Sequence, residues 1–238
     1  MPFPQAFHAG IPGWYHVLII GVLIPMLVVR NYRRMVGKSL ALPNRLRHFK
    51  TTAIMLALLT SLSVVVARAE WIDLYRFDAA RLPQGLAAGA VMYVVAVLAM
   101  RPRWRRAVEQ RKRIVHLFMP DTNAERGWWV LVSVLAGVGE EITWRGVQTA
   151  LLAYLTGSFV AGATLSAASF GVAHYMQGWK SAAIIVVFAL GFQAVVLISG
   201  SLYVAMLVHT LYDITAGISY GRLGRELGYS PVTTGYGG

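Results

Sequence analysis

The chain has no cysteine. That excludes disulfide frameworks, thiolate metal sites and a cysteine nucleophile. Charge is also scarce, at 13% of 238 residues, where a soluble domain carries ~25%. Acids are the scarcer sign, 10 against 22 Lys and Arg, which leaves a formal net charge of +12. No basic n-region precedes the first apolar run, so that run reads as a retained span and not as a cleavable signal peptide. No internal repeat is visible. What the chain has instead is apolar length: 57% of its residues are hydrophobic, gathered in long runs.

A helix needs ~20 mostly apolar residues to cross the hydrocarbon of a bilayer. Seven runs qualify: about 11–29, 51–69, 83–100, 128–154, 159–175, 181–199 and 202–219. The expected fold is all-α, a polytopic membrane bundle of about seven transmembrane helices. Its basic residues gather in two loops. One holds Arg30, Arg33, Arg34, Lys38, Arg45, Arg47 and Lys50 without an acid, and the other runs from Arg101 to Arg126. The loop between spans two and three is balanced. Basic loops mark the cytoplasmic side, which puts the N-terminus outside and the C-terminus cytoplasmic. Charge confined to such loops argues against a nucleic-acid partner. The segment 101–118 reads as a topology anchor or as a basic helix lying on anionic lipid.

Three regions follow: an N-terminal membrane region, 1–126; a helical core, 127–220; and a flexible tail, 221–238. The core carries the ionisable residues that lie inside apolar segments: Glu140, Glu141, Arg145, His174, His209 and Asp213. Such residues cost at least ~2.5–3.5 kcal/mol each at bilayer depth and are retained for function. Glu141 and Arg145 are four apart and share a helix face, while Glu140 points about 100° away. One carboxylate held by Arg145 and one free to take a proton is a division suited to acid–base work on water. His174 shares a face with Phe170, Ser166 and Gly162, and small residues at that spacing allow close helix approach. His209 and Asp213 share a face with Ala205 and Gly217. Spacing alone does not set these helices at one depth. Three polar faces satisfy one another only if they face one another, so the three helices are expected to meet.

The set EExxxR, FxxxH and HxxxD on successive helices resembles the CPBP family (CAAX proteases and bacteriocin-processing proteins, also called type II CAAX prenyl endopeptidase-like). The matching residues are Glu140, Glu141 and Arg145, then Phe170 and His174, then His209 and Asp213. The resemblance implies an intramembrane endopeptidase with a glutamate-activated water and no cofactor. It would make Glu140 the general base, Glu141 and Arg145 its positioning residues, His174 an assistant, and His209 a donor to the oxyanion. Asp213 departs from relatives with Asn at this position. An ionised Asp cannot donate a hydrogen bond, so Asp213 is protonated, orients His209 or binds metal. A zinc-dependent hydrolase using Glu140, His174, His209 and Asp213 therefore stays open. So do a non-enzymatic immunity or scaffold protein and a proton-relay or haem protein. The expected partners are the lipid bilayer and a membrane-anchored protein or peptide substrate. Oligomeric state is not legible. The excess of Arg over Lys points to a prokaryotic plasma membrane and away from a prenylated substrate.

Overall fold

The computed structural model describes residues 9–38 and 41–230. These residues form helices joined by short turns, with no β-strand among them. The first helical body joins α1 (Ile11–Leu18), a π-helical stretch (Ile19–Leu23) and α2 (Ile24–Met35). Pro25 explains part of its irregularity. A proline has no N–H for the carbonyl four residues back. The Gly21 carbonyl instead accepts from Ser169 Oγ at 2.7 Å, which ties the first body to a later helix.

Next come α3 (Arg45–Ala69), α4 (Leu82–Glu109), opened by the 3-10 turn Ala79–Arg81, and the short α5 (Arg113–Phe118). Asn44 caps α3 by accepting from the Arg47 amide. α6 (Asn123–Glu140) starts with a capping box between Thr122 and Glu125 and continues into a second π-helical segment, Glu141–Gln148. α7 (Thr149–Thr156) follows and ends at Gly157, whose φ of 66° is left-handed. Ser158 then caps α8 (Phe159–Ala173), and α9 (Trp179–Ser199) and α10 (Leu202–Glu226) are the last helices among the described residues.

Among the described residues, five helices are long and apolar enough to cross a membrane: Ile11–Met35, Arg45–Ala69, Ala79–Glu109, Trp179–Ser199 and Leu202–Glu226. The apolar α8 is shorter. Large apolar side chains such as Leu58, Val94, Leu98, Val160 and Val187 point outward and are exposed. A bilayer accepts such a surface.

Helix α4 runs past Arg101 and Pro102, where its apolar run ends, to Glu109. Packing sustains the extra turns. Trp104 is buried, with its ring 5.9 Å from that of Tyr212 and 6.2 Å from that of Tyr220 on α10. Helix α10 likewise continues through Gly221 to Glu226, so the first residues of the segment read as a tail are helical. Residues 231–238 of that tail lie outside the described residues.

Close approach of α6 to α10 sets the position of the site. A Cβ on Gly137 would fall on Thr210 and on the Met206 carbonyl, so only glycine permits this packing. Trp129 of α6 donates its Nε1–H to the Asp213 carbonyl at 3.1 Å, fixing the same two helices about two turns away along α6.

Candidate active site

Glu140 ends α6 and Glu141 opens the π-helical segment. A π-helix bonds i to i+5 and is often found at functional sites. Here two hydroxyls support it. The Trp144 carbonyl accepts from Thr149 Oγ1 and from Ser166 Oγ, both at 2.8 Å. Ser166 thus faces inward as its spacing implies, and α8 brings Phe170 and His174 with it.

Glu141 is fully buried. Its Oε1 accepts from His209 Nδ1 at 2.8 Å and lies 3.2 Å from Arg145 Nη1. The Arg145 guanidinium sits 4.4 Å from the centre of the Phe170 ring and 5.5 Å from that of Phe192. Phe170 contacts His174 at 4.4 Å between ring centres, and Phe192 contacts His209 at 5.3 Å. A planar cation between two aromatic faces is held in position as well as in charge.

Glu140 has no such clamp. Its Oε1 lies 4.0 Å from His174 Nε2 and its Oε2 lies 3.8 Å from His209 Nε2. The His174 Nδ1–H donates to the Phe170 carbonyl at 2.8 Å, so Nε2 is the ring nitrogen that faces Glu140. Asp213 Oδ2 stands 3.8 Å from His209 Nε2. All six sequence-derived residues therefore meet in one cluster. Glu141 is at its sealed end. The side chains of His174 and Asp213 are 25% and 27% exposed and mark the open end.

Among the described residues, no group of three or more His, Asp or Glu side chains is arranged to hold a metal ion. The clustered separations of 3.8–4.0 Å are within ion-pair range but too long for direct hydrogen bonds.

Spacing did not single out His16, Ser63, Thr143, Gln148 or Glu70. The first four form a buried hydrogen-bonded chain behind the π-helical segment. Glu70 is buried as well, and its carboxylate accepts from the Gly10 and Gly13 amides at 2.8 and 2.6 Å, at the start of α1. Amides at a helix N-terminus attract an anion.

The site is a carboxylate–imidazole centre enclosed by apolar helices. Residues 122–215 match the family model described as Type II CAAX prenyl endopeptidase Rce1-like, and all six residues fall within that stretch. This stretch is similar to a membrane protease family, which supports the CPBP resemblance, and the five apolar helices agree with an integral membrane protein. No curated protein and no solved structure matches the chain significantly.

Proposed function

We propose that the chain is an intramembrane endopeptidase. It hydrolyses a peptide bond of a membrane-anchored protein or peptide with a glutamate-activated water. The observation that carries this reading is the approach of the unclamped Glu140 to both imidazole Nε2 atoms, at 4.0 and 3.8 Å. One water between these groups would be held by His174 Nε2 and deprotonated by Glu140. Its oxygen attacks the scissile carbonyl carbon, and the proton passes to Glu140. The tetrahedral oxyanion is met by His209 Nε2–H in the doubly protonated ring, whose counter-charge Glu141 supplies. The C–N bond then breaks, and Glu140 returns the proton to the leaving amine. Arg145 holds Glu141, and Glu141 holds His209. Asp213 flanks the oxyanion side as a further counter-charge for His209. No step is routed through a metal or cofactor.

In this reading seven spans cross the membrane, with the N-terminus outside and the C-terminus cytoplasmic. Helix α8 then runs inward, and the open end of the site, at His174 and Asp213, faces the cytoplasm. Cleavage falls near that membrane boundary. The proposed location is a prokaryotic plasma membrane.

The test compares protein termini in membranes and medium from two strains. One carries the wild-type chain and the other Glu140→Gln at equal expression. A protein that retains a terminal segment only in the mutant supports the peptidase. A Glu140→Gln chain that restores a deletion phenotype overturns it in favour of an immunity or scaffolding role. Metal analysis of active purified protein tests the zinc-dependent version, which requires a stoichiometric ion whose removal ends activity.

A further inference from the structure

His16 is 1% exposed, and its hydrogen bonds go to Gln148 and Ser63, so it is tied to the segment that carries Glu141 and Arg145. Its Nδ1 lies 2.9 Å from Gln148 Oε1, and its Nε2 lies 3.1 Å from Ser63 Oγ. Ser63 Oγ lies 2.9 Å from Thr143 Oγ1. The amide oxygen of Gln148 can only accept, so Nδ1 donates. Ser63 Oγ also donates to the Leu59 carbonyl at 3.0 Å on its own helix, so this hydroxyl is the node that ties α3 to His16 and to Thr143.

Thr143 and Gln148 are the two ends of this chain, and they are five residues apart. In a π-helix, which bonds i to i+5, such residues stack on one face. At about 100° per residue, an α-helix would turn them about 140° apart. The His16–Ser63 bridge can therefore engage both only in the π-helical register. That same register aims Glu141 at His209 and Arg145 at Glu141.

We propose that His16, with Ser63, is a positioning pair that locks the Glu141–Gln148 segment in its π-helical register. This deepens the peptidase reading, but its test does not depend on cleavage. Gly146 lies within the segment, and a Cβ there would point at the Leu74 side chain, 2.8 Å from its Cδ2. In the other register, position 146 would turn away. The chain has no native cysteine. Leu74→Cys with Gly146→Cys therefore gives a disulfide reporter free of background.

The purified full chain in detergent is oxidised, and the disulfide is quantified by mass spectrometry, with monodispersity as the folding control. Efficient cross-linking is expected with His16 present. It should fall on the order of tenfold in His16→Ala, which strips two buried hydrogen bonds from the bridge, and recover in His16→Gln, which keeps a donor and an acceptor. Equal cross-linking in monodisperse His16→Ala overturns the proposal. Should His16→Ala fail to fold, the smaller change Ser63→Ala decides by the same readout: a tenfold fall supports the lock and equal cross-linking overturns it. A chain with the normal cross-link that cleaves nothing would fault the peptidase reading and leave the lock standing.

Discussion

Glu141 and His209, 68 residues apart, share a 2.8 Å hydrogen bond sealed from solvent, and this bond fixes which imidazole nitrogen faces Glu140. Its carboxylate also answers Arg145, so one acid orients the imidazole and balances the cation. The neighbouring Glu140 lacks both duties.

This difference should separate the two acids in stability. Glu141→Gln leaves the buried guanidinium without its counter-charge and should destabilise the protein by about 3–5 kcal/mol. Glu140→Gln should stay within ~1 kcal/mol of wild type while ending cleavage. Thermal unfolding of both variants in one detergent is the measurement. Equal losses would mean that the clamp does not distinguish them.

Arg145→Lys keeps the charge but not the plane between Phe170 and Phe192. It should lose about 1–2 kcal/mol of stability and slow cleavage. Denaturant titration beside the wild type reads the first effect. An unchanged midpoint would mean that charge alone matters at this position.

Gly137→Ala should cost about 1–3 kcal/mol, because its Cβ would meet the backbone of α10. Gly127, on the same helix, has nothing within 4 Å of an added Cβ. Gly127→Ala should be neutral or stabilising by ~0.5–1 kcal/mol. Melting temperatures of the pair check the contrast, and a shared sign would count against close α6–α10 packing.

Glu125, ahead of Trp128, offers a pH test. Burial pushes its carboxyl up, but the Asp121 and Thr122 amides and Arg45 outweigh burial and hold it below the ordinary value of 4.5. A carboxyl lowered by folding adds stability above its unfolded pKa and loses it as pH falls through the folded one. Wild type should therefore lose its advantage over Glu125→Gln as pH drops below about 4.5. Parallel melting curves from pH 6 to pH 3, a window set about that value, should converge. A constant gap would remove Glu125 from the acid response.

The helical class, the apolar runs, the break at Gly157 and the faces bearing His174 and His209 were legible because each is a local pattern. So was the division between a clamped and a free glutamate. The π-helical segment was not, because residues four apart look alike in either helix until i+5 partners such as Trp144 and Thr149 are seen. His16 was hidden for another reason. Its partners lie 132 and 47 residues away, and a lone histidine in an apolar run carries no local spacing. The reach of α4 to Glu109 depends on Trp104 meeting two tyrosines of α10, which the basic composition of that turn conceals.

The guanidinium between Phe170 and Phe192 has a mechanical consequence. Each ring also contacts one of the two histidines, so α8, α9 and α10 converge on one packed cluster. A tilt of α8 would move both imidazoles together, and their spacing about Glu140 would outlast it. Changes in bilayer thickness should therefore shift the whole centre relative to the membrane surface before they distort it, altering which bond of a tethered chain comes within reach.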